Sequence, residues 1–294
     1  MKKNAAERKE RPFIPEPGIV LITGASSGIG EAFARYLTGC ISGKETNPGL
    51  PGFDELWLVA RRGERLLELA DELLKSVSAG KGSAEFSIRT FTQDLVEPGA
   101  GERLEAEVEE AGKPLRILIN NAGYGSYGPF SEVDLDTQLG QIDLNCRSLT
   151  ELCGRLDPYL LKNSMVINTA SLAAFAPLGG FAVYAATKAF VLSFSVALAA
   201  EWRSRGIRVC ALCPGPVQSE FALVASGGVR KEVRHGYPAA VLVRDCLRQA
   251  ARRKIISLPR FLWQIQRYAG KFAGPVASAF FSWRFMRRPH APKA

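Results

Sequence analysis

Tyr184 and Lys188 stand four positions apart in the run Tyr184-Ala185-Ala186-Thr187-Lys188. On a helix that spacing puts a phenol and an ammonium on one face. A phenol is a poor acid–base near neutrality because its ordinary pKa is about 10. A neighbouring cation favours the phenolate, so such a pair can shuttle a proton. Two further polar residues stand at useful places. Ser171 follows the apolar run Met165–Thr169, at the carboxyl end of an expected strand, where open α/β sheets bind ligands. Asn145 lies inside an expected helix, Thr137–Leu161, although Asn is a mediocre helix former. Taken singly, Ser171 also reads as a helix cap and Asn145 as a surface residue.

A second group of residues suits a dinucleotide. Thr23-Gly24-Ala25-Ser26-Ser27-Gly28-Ile29-Gly30 follows an apolar run and opens a helical pattern. A glycine-rich turn there lets backbone N–H groups approach a pyrophosphate. The spacing G-x-x-x-G-x-G differs from the commoner G-x-G-x-x-G, and glycines also make plain turns. The next apolar run ends Leu58-Val59-Ala60-Arg61-Arg62. An acidic side chain at this place would accept from a free adenosine ribose. Ala60 occupies it, and the following arginines suit a 2′-phosphate, Arg61 before Arg62; the alternative is a solvated pair starting the next helix.

The elements that position these residues alternate. Strands are expected at Ile19–Thr23, Glu55–Ala60, Glu85–Thr90, Arg116–Asn120, Met165–Thr169, Arg208–Cys213 and Lys254–Leu258. Helices are expected at Gly28–Thr38, Gly63–Ser78, 102–111, 136–161, 182–204 and 238–251, with a Gly/Pro-rich insertion over 38–54. Alternation of this kind gives an α/β fold, a Rossmann-type doubly wound parallel sheet in a single domain with a C-terminal helical extension. The expected divisions are a tail over 1–18, a catalytic domain over 19–258 and a basic aromatic extension over 259–294.

The chain of 294 residues is 47% apolar and 23% charged, as in ordinary globular proteins. Its net charge of +9 is uneven, because residues 246–294 contain eleven Lys/Arg and no Asp or Glu. No nucleic-acid motif accompanies that charge, and no nucleic-acid partner is expected. The N-terminus has no apolar stretch of the signal-peptide kind, and no run of about 18 apolar residues is seen. Cysteines 40, 146, 153, 210, 213 and 246 form no spaced framework, so reduced thiols and a cytoplasmic location are expected. Cys210-x-x-Cys213 lacks a second pair, and no metal site is expected. In the extension, Arg260, Gln264, Arg267 and Lys271 share one helical face and Phe261, Ile265, Tyr268 and Phe272 another, with a break at Gly274-Pro275. Aromatic anchors beside Lys/Arg suit a peripheral membrane contact through residues 259–288 or a cover over the pocket. Packing of the apolar side on the domain or a partner is an equal alternative.

Together these motifs resemble the short-chain dehydrogenase/reductase family from about Ile19 to Leu258. The resemblance rests on TGASSGIG at 23–30, Asn120-Asn121-Ala122-Gly123, Ser171 thirteen residues before Tyr184, Tyr184-x-x-x-Lys188 and Pro214-Gly215-Pro216-Val217. It implies Tyr184 as general acid–base, Lys188 holding the nicotinamide ribose and lowering the Tyr184 pKa, Ser171 on the substrate oxygen and Asn145 holding a relay water. It implies a cofactor site comprising Gly24, Ser26, Ser27, Gly28, Ile29, Gly30, Asp94 and Leu95 by the adenine, Asn121, Ala122, Gly123, and Pro214, Gly215 and Val217 at the nicotinamide. Ser219 stands where many members have threonine near the pyrophosphate. With Arg61 and Arg62, the implied cofactor is NADP(H), and the implied reaction is hydride transfer to or from a carbonyl or secondary alcohol. A catalytically weak NADP-binding regulator or scaffold protein is the alternative. Positions expected to face substrate are Tyr124, Tyr127, Leu172, Ala173, Ala174, Phe175, Phe221 and Leu223, almost without charge. They point to a lipophilic ketone (a steroid, acyl or aromatic compound) and so to lipid metabolism. The helices 136–161 and 182–204 are where family members pair into dimers or tetramers.

Overall fold

A computed structural model describes residues 17–78, 85–230 and 236–291; the expected tail over 1–18 lies almost wholly outside them. Seven parallel strands form one sheet in the order β3-β2-β1-β4-β5-β6-β7. They are β1 (Gly18–Thr23), β2 (Phe53–Ala60), β3 (Ser87–Thr92), β4 (Leu115–Asn120), β5 (Leu160–Thr169), β6 (Arg208–Leu212) and β7 (Ile256–Ser257). The order reverses between β1 and β4, the switch point at which doubly wound sheets open a cleft. Both central strands are buried along their whole length, as near-continuous apolar runs covered on two faces should be.

Helices fill the crossovers: α1 (Gly28–Ser42), α2 (Gly63–Ser78), α3 (Ala100–Ala111), α4 (Leu135–Ile142), α5 (Leu149–Leu156), α6 (Ala182–Glu201), α7 (Phe221–Ala225) and α8 (Ala239–Ala251). Helix α2 shows the pattern plainly: Leu66, Leu69, Leu73 and Val77 are buried at helical spacing while Glu64 and Lys75 stand at its ends.

Several boundaries differ from the sequence reading for identifiable reasons. The helix expected over 136–161 is three pieces: α4, a π-helical segment Asp143–Ser148, and α5. It ends at Leu156 because Asp157-Pro158 makes a tight turn and β5 begins at Leu160. The 38–54 insertion is not wholly a surface loop, since α1 continues to Ser42 and β2 starts at Phe53. Strand β3 is shifted two residues, and the short helix α7 went unanticipated.

Helix α6 is long and apolar enough, with a mean hydropathy of 1.6, to meet the criterion for a spanning helix; this corrects the expectation that no such stretch exists. Its apolar composition has a local cause. Tyr184, Ala185, Lys188, Val191, Ser195 and Leu198 are buried, and the helix also exposes Phe190 and Val196.

After β7 the chain forms α9 (Phe261–Phe285), broken at Gly274 (φ 76°, ψ 164°) just before Pro275, as the Gly-Pro pair leads one to expect. The way it packs inverts the simplest amphipathic expectation. Phe261, Ile265, Tyr268 and Phe272 face outward, Phe272 with 91% of its surface exposed. The side against the domain carries Trp263, buried beside Tyr237, and Arg267, whose guanidinium lies 5.0 Å from the Phe175 ring centre.

Candidate active site

The carboxyl ends of β1 to β6 converge on one cleft of about 460 Å³. At its β1 end the chain turns through Gly24 (φ 66°) and enters α1 at Gly28. The turn is closed so tightly that a Cβ on Gly30 would lie 2.2 Å from the Gly24 carbonyl oxygen, so only glycine fits there. Thr23 fastens this turn to the end of β4: its hydroxyl accepts from the N–H groups of Asn121 (2.9 Å) and Ala122 (3.0 Å). The Asn121 amide donates back to the Thr23 carbonyl at 3.2 Å. Below, a buried ladder runs from Asn120 to Asn168 to Ser195, tying β4, β5 and α6 together. The cleft floor is therefore braced by polar groups whose partners are fixed by strand register.

The expected catalytic residues meet at the far side. Tyr184 and Lys188 rise from α6 and are both buried, as is Ser171 just past β5. The Lys188 ammonium donates to the Thr169 carbonyl at 2.7 Å and lies 5.7 Å from the Tyr184 ring centre. Ser171 Oγ accepts from Ala173 N–H at 3.1 Å, which makes the serine a cap as well as a cleft residue. Burial pushes the Lys188 pKa down to about 8. Burial also pushes the Tyr184 phenol above its ordinary value, with the Ser171 hydroxyl and Arg288 opposing that rise. The net direction is set by enclosure, since desolvation of the phenolate outweighs the hydroxyl and guanidinium that oppose it.

Asn145 sits in the π-helical segment, a distortion frequent at functional sites. Its amide makes three hydrogen bonds to the protein. Nδ2 donates to the Tyr124 carbonyl (2.9 Å) and the Thr187 hydroxyl (3.1 Å), while Oδ1 accepts from Tyr124 N–H (3.1 Å). The structure shows Asn145 as a brace between the β4 loop and α6.

Of the other expected residues, Gly24, Ser26, Ser27, Gly28, Ile29, Arg61, Arg62, Asp94, Leu95, Asn121, Ala122, Gly123, Pro214, Gly215, Val217 and Ser219 line the cleft, and Gly30 lies directly beneath the turn. Arg62 engages the glycine turn most closely, donating to Ser26 Oγ (3.1 Å) and Ser27 Oγ (2.6 Å). It also pairs with Glu220, which Arg65 grips from the other side; the two guanidinium groups hold that carboxyl down at about 2. Arg61 is more exposed and stands 3.7 Å from Asp94. The turn, the brace and these side chains fit a dinucleotide: backbone N–H groups at a helix start for the pyrophosphate, and polar groups at the end of β2 for the adenosine side.

The substrate side differs from the sequence reading. Tyr124, Tyr127 and Phe221 line the cleft and Ala173 packs against its rings, whereas Leu172 and Phe175 pack against the main core and Ala174 does not line the cleft. Leu223 is partly exposed, and its neighbour Val224 takes the cleft position. Phe181, Val224, Arg230 and Arg288 were missed. Phe181 stacks on Tyr184 with ring centres 4.3 Å apart and meets Tyr127 at 4.8 Å. Its position three residues before Tyr184 on the approach to α6 was the one available signal. Arg288 carries no local signal, since it arrives from more than a hundred residues away.

Comparison with known proteins agrees with this geometry. A family model for short chain dehydrogenases matches residues 49–226. Sulfoacetaldehyde reductase 2 of Chromohalobacter salexigens is 34% identical over 217 residues, covering 71% of this chain and 77% of that protein. Serine 3-dehydrogenase of Agrobacterium fabrum is 34% identical over 216 residues, covering 72% and 76%. Among solved structures, a short-chain dehydrogenase from Sphingobium yanoikuyae in complex with NADPH superposes with a TM-score of 0.72 at 29% identity, covering 87% of this chain and 94% of that one. A bulky-bulky ketone specific alcohol dehydrogenase from Comamonas testosteroni gives 0.68 at 25% identity, covering 93% and 96%. Matches over this much of the chain, on a sheet of this topology with Ser171, Tyr184 and Lys188 in one cleft, make the protein an oxidoreductase of the short-chain dehydrogenase/reductase family.

Proposed function

We propose that this oxidoreductase uses NADP(H) and reduces the carbonyl of a compound with an apolar or aromatic body. The observation that carries the reading is the shape of this cleft. Ser171, Tyr184 and Lys188 close one end of it under the rings of Tyr127, Phe181 and Phe221, and Arg61 and Arg62 flank the other. A nicotinamide cofactor held by the glycine turn and the end of β2 would supply hydride to the carbonyl carbon. The protein's own groups supply the rest. Ser171 and Tyr184 donate hydrogen bonds to the carbonyl oxygen, which gains negative charge as the carbon accepts hydride. Tyr184 then transfers its phenolic proton to that oxygen. A phenol kept protonated by burial suits this direction. Lys188, charged below about pH 8, stabilises the phenolate left behind.

Two relatives are named for sulfoacetaldehyde and serine, compounds with far less apolar surface than this lining offers. The aromatic wall favours a larger body here, a ketone of the lipophilic kind. The exposed Leu139 and Ile142 of α4 and Phe190 of α6 support a second copy of the chain as a partner. For the extension we propose a peripheral contact with an anionic membrane, on the cytoplasmic side. Phe261, Phe272, Phe280 and Phe285 project outward within a stretch rich in Lys/Arg and free of acids. Self-pairing through the same face would oppose like charges.

The cofactor reading is tested by steady-state kinetics with NADPH and NADH. The expected result is a clear preference for NADPH in kcat/KM, reduced about tenfold or more in Arg61→Ala and Arg62→Ala, as for the loss of a charge-assisted phosphate contact. Equal efficiency with the two cofactors would overturn it.

A further inference from the structure

The end of the chain enters the substrate compartment. Beyond α9, His290 Nε2 lies 3.0 Å from Glu132 Oε2, and the Ala291 N–H donates to the Ser226 carbonyl at 3.0 Å. On the near side, Ser282 Oγ accepts from the Gly179 N–H at 2.8 Å. The segment between these ties is held over the cleft, and Arg288 is the side chain it delivers. Its guanidinium lies 5.2 Å from the ring centre of Tyr127 and 5.1 Å from that of Phe181. Phe181 is the ring that stacks on Tyr184. Arg288 therefore stands one aromatic layer away from the reacting phenol, lining the same cleft as Ser171 and Val217.

Its charge balance differs from that of the arginines held in ion pairs. Arg35, Arg62, Arg65, Arg89, Arg155 and Arg205 each hold a carboxylate. Among the described residues no carboxylate pairs with Arg288, and Glu132, the acid this segment does engage, takes His290. A half-buried guanidinium facing aromatic rings gains some cation–π energy, but its N–H fork is left without an acceptor of matching charge. A second cation, Arg230, lines the same cleft from the α7 side. Repulsion from Arg230 adds to burial in disfavouring the charged form of Arg288. An anion at the Arg288 fork would relieve both penalties, and a planar carboxylate matches that fork.

We infer that Arg288 is the anion-binding end of the substrate compartment, so that the compound reduced carries a carboxylate or comparable oxyanion away from its reacting carbonyl. The inference rests on the carbonyl-reducing reading above and narrows its substrate class: an apolar body in the cage of Tyr127, Phe181 and Phe221, with a carbonyl at Tyr184 and an anionic group at Arg288. It also makes the C-terminal segment part of the active site.

The test compares benzoylpropionate, its sulfonate counterpart and its methyl ester as substrates of the full-length enzyme, its Arg288→Met variant, which keeps an apolar stem over the rings, and Arg288→Lys. The wild type is expected to favour both anions over the ester. Arg288→Met is expected to lose about a hundredfold in kcat/KM for the anions, mostly through KM, as for removal of one partner of an enclosed charged pair. The ester should change little, Lys should restore part of the loss, and the KM for NADPH should stay where it was. Preference for one anion identifies the oxyanion recognised. Equal losses for ester and anions would show a merely structural cover, and a raised KM for NADPH would assign Arg288 to the cofactor; either overturns the inference. Calorimetric binding of phenylbutyrate, which has no ketone, to the enzyme–NADP complex is the independent readout. Binding that needs Arg288 while no ketone is reduced keeps the anion site and removes the reductase reading. Reduction of neutral ketones without any effect of Arg288 on phenylbutyrate binding does the reverse.

Discussion

At the scale of single residues, the site works by enclosing charge. Tyr184 is buried with its ring on Phe181, so the phenol stays protonated, and Lys188 is buried enough to bring its ammonium down to about 8. The two shifts have the same cause and opposite directions, since desolvation disfavours whichever form is charged. A consequence in solution follows from the sign. Lys188 loses its proton as pH rises through about 8, and the support it gives to a phenolate goes with it. The kcat/KM for NADPH, which reports groups of the free enzyme, should be level below that value and fall above it. A profile level to pH 10 would show that the ammonium is not needed. These residues were legible in the sequence because their spacing is local: four positions for Tyr184 and Lys188, one strand end for Ser171. The direction of the Tyr184 shift was not legible, because burial is set by Phe181, Phe221 and a distant segment.

At the scale of elements, sequence pattern and structure coincide where periodicity is strong and part where a turn overrides it. The sheet, α2 and the glycine turn followed from apolar runs and punctuation. The segment 136–161 did not, because nothing local marks the π-helical turn that redirects Asn145, and Asp157-Pro158 ended the helix early. The cofactor half of the cleft was legible for the same reason as the strands, since its residues follow strand ends. The substrate half is built by α7 and α9, whose placement depends on long-range packing. Trp263 is the joint. It is buried against Gly215, where a Cβ would lie 2.4 Å from its indole nitrogen, and against Tyr237 at 5.3 Å. Trp263→Ala should cost roughly 3–5 kcal/mol, the usual range for emptying a buried aromatic site, read as a lowered melting temperature. It should also raise KM for substrate, because the loop Gly215–Val217 loses its backing. A variant as stable as the wild type would mean that α9 is only loosely attached.

At the scale of the whole molecule, the extension faces two ways. Inward it supplies Trp263, Ser282 and Arg288; outward it shows a row of aromatic side chains. Removal of everything after Leu258 should therefore cost activity, since it strips away packing and the end of the pocket together. Outward-facing substitutions separate the two roles. Phe272→Ser with Phe280→Ser should leave ketone reduction unchanged and abolish sedimentation with anionic liposomes at low salt. If the full-length protein ignores such liposomes, the exposed row has another partner. Composition placed the basic charge in this segment correctly, but helical periodicity alone could not say which face meets the domain, because that is decided by a glycine gap at Gly215 and a phenyl ring at Phe175.

The most direct test of the central claim is NADPH oxidation driven by an aryl ketone, compared between the wild type and Tyr184→Phe, with NADPH binding followed in parallel by fluorescence. The account predicts ketone-dependent oxidation by the wild type and a loss of at least about a thousandfold in Tyr184→Phe, somewhere within the span of general acid–base contributions, with cofactor affinity retained. Substantial turnover in Tyr184→Phe, or ketone reduction by neither protein despite tight NADPH binding, would contradict it.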